Sequence, residues 1–275
     1  MKSFPLHAVP LPPSVVQAVW RADQLGTSAC ATLSSGFEAL DAVLPGGGWP
    51  CRGVTELLCP QAGVLEWRLL GPALRARLDE DPEARLLLVA PPRVPHPPGL
   101  QAIGIDEQRL VWIDAADAAE RLWVVEQLLR ARRGGSVLLA WLPEVQASPL
   151  RRLQVLAGQV AGGGRAPVFV VRDRTAASAS SPAPLRLLAW PGVGGDLHVD
   201  VLKRPGAPLE RVLTLPAPPP ALAALLPLAR RQRGRVADAR PIVVSASLPA
   251  ACSEATDVVG CPVASRGPID QRHAA

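Results

Sequence analysis

The chain has 275 residues, 48% of them apolar and 19% charged, with a formal net charge of +5. Length and balance allow one substantial hydrophobic core and exclude a wholly disordered chain. No stretch reaches the roughly eighteen uncharged apolar residues of a membrane span, and the charge is too mild to mark a nucleic-acid binder by itself.

Only two of the 29 basic residues are lysines, Lys2 and Lys203. The five cysteines (Cys30, Cys51, Cys59, Cys252 and Cys261) form no C-x-x-C pair and have no histidine at metal spacing, so they read as reduced thiols. The N-terminal MKSFPLHAVPLPP places prolines where a signal peptide carries a continuous apolar run. The expected location is cytoplasmic.

After this Pro-rich segment, Ser14 caps a helix whose Val15, Val16, Val19 and Trp20 make an apolar stripe ending at Gly26. Residues 31–67 then organise the chain. A turn-rich lead-in (SSGFEALDAVLPGGGWPCRG) precedes a short apolar strand over 53–58, a compact loop over 59–63 and a helix from Val64. Strand, loop and helix is the layout of a phosphate-binding loop, but G-x-x-x-x-G-K-[ST] is missing. Cys59, Gly63, Val64, Leu65 and Glu66 occupy the loop and its motif positions, with Leu65 in place of the phosphate lysine and Glu66 in place of the magnesium hydroxyl.

The helix meets Gly71-Pro72, where loss of a backbone donor predicts a kink or a break. RLLLVA (85–90) reads as a buried strand, the proline-rich 91–99 as a loop and RLVWI (109–113) as a strand. A helix follows from an Asp117/Glu120 capping pattern, with Leu122, Val125 and Leu129 on one face and arginines before Gly134. SVLLAWL (136–142) is expected to be a central strand. Next come a helix with Leu150, Leu153, Leu156 and Val160 inward, and the buried strand PVFVV (167–171). LRLLAW, DLHVDVLK and PLERVLTL, separated by glycine- and proline-rich turns, predict an antiparallel meander. The expectation is an α/β fold, a mainly parallel sheet flanked by helices with an antiparallel edge extension. Beyond Pro216 the sequence predicts a linker, a short basic amphipathic helix and, over 241–275, a largely disordered tail.

The lead-in resembles the ATPase core of the RecA family, S-T-G-x-x-x-L-D-x-x-L-G-G-G-x-P-x-G-x-x-x-E. Ser34, Ser35, Gly36, Leu40, Asp41, Leu44, Gly46, Gly47, Gly48, Pro50, Gly53 and Glu56 fall into that register. The resemblance implies a RecA-like core over 27–215, after an N-terminal segment and flanking helix (1–26) and before the 216–275 extension. It also implies that SVLLAWL should end in a magnesium carboxylate, where Ala140 and Trp141 stand. The next strand inward, RLLLVAPPR, should offer a water-activating glutamate, where Pro91 and Pro92 stand. Three losses together predict a protein without ATPase activity, cofactor or metal, because phosphoryl transfer rests on these charged parts. No other catalytic pattern stands out, and His198 beside Asp200 reads as a solvated strand residue.

RecA-like proteins join subunits through an N-terminal helix, which makes Val16 and Trp20 candidate partner contacts. Their loops after the strands equivalent to SVLLAWL and PVFVV touch DNA, which makes Arg151, Arg152, Arg172 and Arg174 candidates, the last two beside a mobile-looking TAASASSPAP. Lys203, Arg204, Arg230, Arg231, Arg233 and Arg235 are further candidates for partner or DNA contact, although no tyrosine is available to stack bases.

With VWRADQLG ahead of this lead-in, a lysine-less loop running into LEWRLLGPAL, and VLKRPGAP near the end, the chain resembles the ImuA family over roughly 14–214. That resemblance implies an accessory role in SOS-induced, error-prone translesion DNA synthesis. Its implied partners are an inactive Y-family polymerase-like protein, an error-prone C-family polymerase and RecA. Two alternatives stay open, a SulA-like inhibitor of the tubulin-like division protein and a nucleotide-binding recombinase paralogue.

Overall fold

Alternating apolar strands and amphipathic helices assemble as the sequence order dictates. The computed structural model describes residues 31–131, 135–159 and 166–218. The lead-in forms a two-stranded ribbon, β1 (Thr32–Leu33) against β2 (Trp49–Pro50), with the short helix α1 (Glu38–Asp41) between them. Then follow β3 (Val54–Cys59), α2 (Leu65–Glu80), β4 (Leu86–Val89), α3 (Pro97–Ala102) and β5 (Leu110–Ile113). The rest comprises α4 (Ala118–Ala131), β6 (Val137–Trp141), α5 (Ala147–Gly158), β7 (Val168–Asp173), β8 (Leu185–Pro191), β9 (Leu197–Lys203) and β10 (Leu213–Leu215).

Eight of these strands form one sheet in the order β10-β9-β8-β3-β7-β6-β4-β5. The run from β8 to β5 is parallel, and β9 and β10 add to it antiparallel. This is the expected mostly parallel α/β sheet with an antiparallel extension, and its order is compatible with a RecA-like core. One placement differs from expectation. β4 lies outward of β6 rather than inward, next to the edge strand β5.

Each face of the sheet carries its own core. On one side α2 presses Leu69, Leu70 and Leu74, all fully buried, onto Leu57, Phe169 and Leu187. Burying each such side chain contributes about 1.5–3 kcal/mol. On the other side α4 and α5 lie together and cover Leu138, Val168 and Val170 with Val125, Leu129, Leu150 and Leu153. The expected cap of α4 forms, with the Glu120 N–H donating to Asp117 and the Glu120 carboxylate accepting from Ala116 N–H.

α2 corrects the sequence reading at Pro72, where the helix neither breaks nor stops. The lost backbone bond is outweighed by burial of Leu69, Leu70, Ala73 and Leu74 on either side. Pro72 is also seated against the lead-in turn. A Cβ on Gly36, whose φ is +80°, would fall 2.4 Å from the Pro72 Cβ. Within the nominal loop 91–99, His96 accepts the Gly99 N–H and Pro97 starts α3, a suitable first helical residue. The segment 174–184 is also packed rather than loose. It begins as a 3-10 turn, and Ala176, Ser181 and Ala183 are buried.

The N-terminal helix with Val16 and Trp20, Val160, the basic cluster Arg230, Arg231, Arg233 and Arg235, and the tail lie outside the described residues.

Candidate functional site: a phosphate-type loop filled from within

The lead-in motif is held by its own hydrogen bonds. Asp41 accepts the Ser35 N–H at 2.8 Å and the Ser34 hydroxyl at 2.6 Å, and Ser34 Oγ in turn accepts the Gly36 N–H. Arg204 ties the β9–β10 turn to this unit by donating to the Val43 carbonyl at 2.5 Å. The glycine turn 46–48 closes the ribbon, with Thr32 Oγ1 donating to the Gly46 carbonyl. Every one of these contacts serves backbone geometry.

The loop itself follows β3 at the carboxyl end of the parallel sheet, the end at which α/β folds place ligands. Its last residues carry unpaired backbone donors, because the first N–H groups of a helix have no partner within the helix. In a phosphate-binding loop the phosphate oxygens accept them. Here Glu66, in the first turn of α2, folds its side chain back over the loop. Its carboxylate accepts the Gly63 N–H at 2.5 Å and the Val64 N–H at 3.0 Å. A third donor comes from the end of β6, where the Trp141 indole N–H reaches the same carboxylate at 2.6 Å. Glu66 is fully buried and Trp141 nearly so. The Gly63 φ of +91° turns its amide into the loop, a conformation a side chain would strain.

The carboxylate thus stands among donors that a phosphate would use, at a helix N-terminus whose dipole favours negative charge. Leu65 is buried in the α2 core and presents no polar group. Cys59 is buried below, and its thiol is pushed far above its ordinary range by burial first and by the Glu66 charge second. Beside the loop lies a cavity of about 460 Å³, lined among others by Ala62, Pro91, Pro92, Trp141 and Arg172. Of its two carboxylates, Asp173 is already engaged with the Thr175 N–H, which depresses its pKa, and Asp114 is exposed. Among the described residues no group of three or more His, Cys, Asp or Glu is placed to hold a metal.

A second charged constellation lies across β3, β7 and β8. Glu56, fully buried, accepts from Arg172 at 2.6 Å and from Arg186 at 2.7 Å. Strand register puts Glu56 opposite Arg186 on β8 and opposite Val170 on β7, two residues from Arg172 on the same face. Arg186 also donates to the Ala176 and Ala179 carbonyls, which pins the 174–184 segment over the pair.

The candidate contact residues do not converge. Arg172 is not a surface arginine, because Glu56 holds it inside. Arg204 is half-buried and committed to backbone carbonyls, and Lys203 is exposed but donates to Ser181. Arg152 is exposed and paired with Glu126 at 2.8 Å. Arg151 and Arg174 are exposed and make no ion pair among the described residues. His198 sits 3.1 Å from Thr214 Oγ1, across the β9–β10 pair. Sequence reasoning missed Arg186 and the donor role of Trp141. The available signal was an arginine inside an otherwise apolar strand, which calls for a buried partner.

Comparison of the chain with protein-family models gives no match, and comparison with curated proteins gives none either.

Proposed function

We propose that this chain is a non-catalytic accessory protein of SOS-induced, error-prone translesion DNA synthesis, built on a degenerate RecA-like core and acting through protein contacts. One observation carries the reading, namely that the Glu66 carboxylate accepts the Gly63 and Val64 N–H groups and the Trp141 indole N–H, donors that a phosphate would need in a loop of this layout. A fold that keeps its lead-in and occupies its own phosphate nest has reason to be retained for its surfaces. The sequence resemblance to the ImuA family supplies the biological setting. The partners proposed from it are an inactive Y-family polymerase-like protein, an error-prone C-family polymerase and RecA.

Affinity capture of the tagged full chain from its own host after DNA damage tests the proposal. Recovery of polymerase-like proteins or RecA is the expected result. Recovery of the tubulin-like division protein alone would replace it with the division-inhibitor reading, and failure to recover any of them would remove the functional assignment.

A further inference from the structure

Two adjoining cavities, of about 330 and 500 Å³, line the outer side of the first turns of α2. They share Trp67, Arg68, Ala102 and Ile103, so they form one groove running from the lead-in to the 93–99 loop. Its walls are mainly apolar, and two of its residues are conspicuously uncovered, Val94 at 69% exposed and Val64 at 42%. Such a continuous apolar patch calls for a partner.

The described chain ends inside this groove. Pro216, Ala217 and Pro218 line the first cavity, and Ala217 is buried. The Arg68 guanidinium donates twice to the Ala217 carbonyl, at 2.6 and 3.0 Å, and also to that of Gly195. That guanidinium is partly desolvated, which lowers its pKa against the opposing pull of Asp196. The exit point and its direction are therefore fixed by a charged clamp.

The residues that follow, Pro219 to Ala229 (PPALAALLPLA), contain no polar side chain, and the first charge comes at Arg230. Leu222, Leu225 and Leu226 stand at the i, i+3, i+4 spacing of a helix-in-groove ligand. Eleven residues span about 16 Å as a helix and more than twice that when extended. Two adjoining cavities are within reach, and tethering at Pro218 favours this segment over any free competitor by raising its effective concentration.

We infer that residues 221–229 of the same chain occupy the groove over α2, with Leu222, Leu225 and Leu226 against Trp67, Ala102 and Ile103. The docked segment covers Val64 and Val94 and gives the apolar stretch an intramolecular role.

The test uses the full chain with a benzophenone amino acid at Leu225, irradiated in a mixture of isotope-labelled and unlabelled protein. The expected result is a crosslink within one chain to residues 67–75 or 93–103. Crosslinks between copies, crosslinks elsewhere on the chain, or no crosslink would overturn the inference. Ala102 is exposed, so Ala102→Arg should leave the core folded, as circular dichroism would show, and cut the crosslink yield several-fold. Val212→Arg, on an exposed residue that does not line the groove, should not reduce it. An undiminished yield in Ala102→Arg with the core intact would also overturn the assignment.

Discussion

The carboxylate of Glu66 and the indole N–H of Trp141, 75 residues apart in sequence, meet at 2.6 Å over the loop that follows β3. Glu66 belongs to the first turn of α2 and Trp141 to the end of β6. The loop's Gly63 and Val64 N–H groups receive their acceptor from the helix they lead into, and β6 adds a third donor to the same carboxylate.

Glu66→Ala leaves the Gly63 and Val64 N–H groups and the Trp141 indole without their acceptor. Each buried unsatisfied group costs about 1–3 kcal/mol, less where water enters, so a loss on the order of 2–4 kcal/mol is expected in urea unfolding. Inorganic phosphate should restore part of the variant's stability and leave the wild type unchanged. A variant as stable as wild type would show that the carboxylate is not the acceptor the loop requires.

A lysine at position 65 should not confer ATPase activity. Leu65→Lys removes a fully packed leucine and puts an ammonium into the α2 core, where Leu→Ala changes alone cost about 2–5 kcal/mol. The expected outcome is a lowered melting temperature with no ATP turnover. Appearance of turnover would mean that the remaining parts of a hydrolytic site are present.

Glu56 is the carboxylate shared by two arginines inside the sheet. Glu56→Gln leaves the Arg172 and Arg186 guanidiniums buried without a counter-charge, a change that typically costs about 3–5 kcal/mol. Because Arg186 pins 174–184, backbone amides of that segment should exchange faster in the variant, as hydrogen-exchange mass spectrometry would show. Unchanged exchange would contradict the clamp.

Asp81 gives the fold an acid-side dependence. Its carboxyl is held below the ordinary value of 3.8, chiefly by the Glu83 backbone N–H, with Arg77 adding to it against partial desolvation. A depressed folded pKa means a contribution fully present above the unfolded value and lost as pH falls through the folded one. The melting-temperature gap between wild type and Asp81→Asn should therefore be full near about pH 6 and shrink below about pH 4. A gap that widened on acidification would contradict the sign.

Cys59 should be chemically silent. Burial and the nearby Glu66 charge keep it a thiol, and the thiolate is the reactive form. Native protein treated with a maleimide should carry no label on Cys59 by peptide mass mapping. Rapid labelling would mean that the loop opens.

Much of the fold was legible because its signals are local. The apolar runs of β4, β6 and β7, bounded by turn residues, and the Asp117/Glu120 start of α4 say what they become. α2 hid its length, because Gly71-Pro72 is a local stop signal that long-range burial overrides. The site was legible only as a set of missing residues. That Glu66 and Trp141 share a hydrogen bond depends on β6 lying two strands from β3, a relation no spacing in the sequence states. Arg172 was misplaced for the same reason, since an arginine at a strand end reads as surface until the β3–β7 register sets Glu56 beside it.

Calorimetric titration of the full chain with magnesium–ATP, with phosphate release followed in parallel, tests the central claim most directly. With Glu66 filling the nest, no saturable heat up to millimolar ATP (a Kd weaker than about 1 mM) and no phosphate release are expected. Stoichiometric binding with a Kd well below about 1 mM would show that nucleotide displaces Glu66, and would contradict the account.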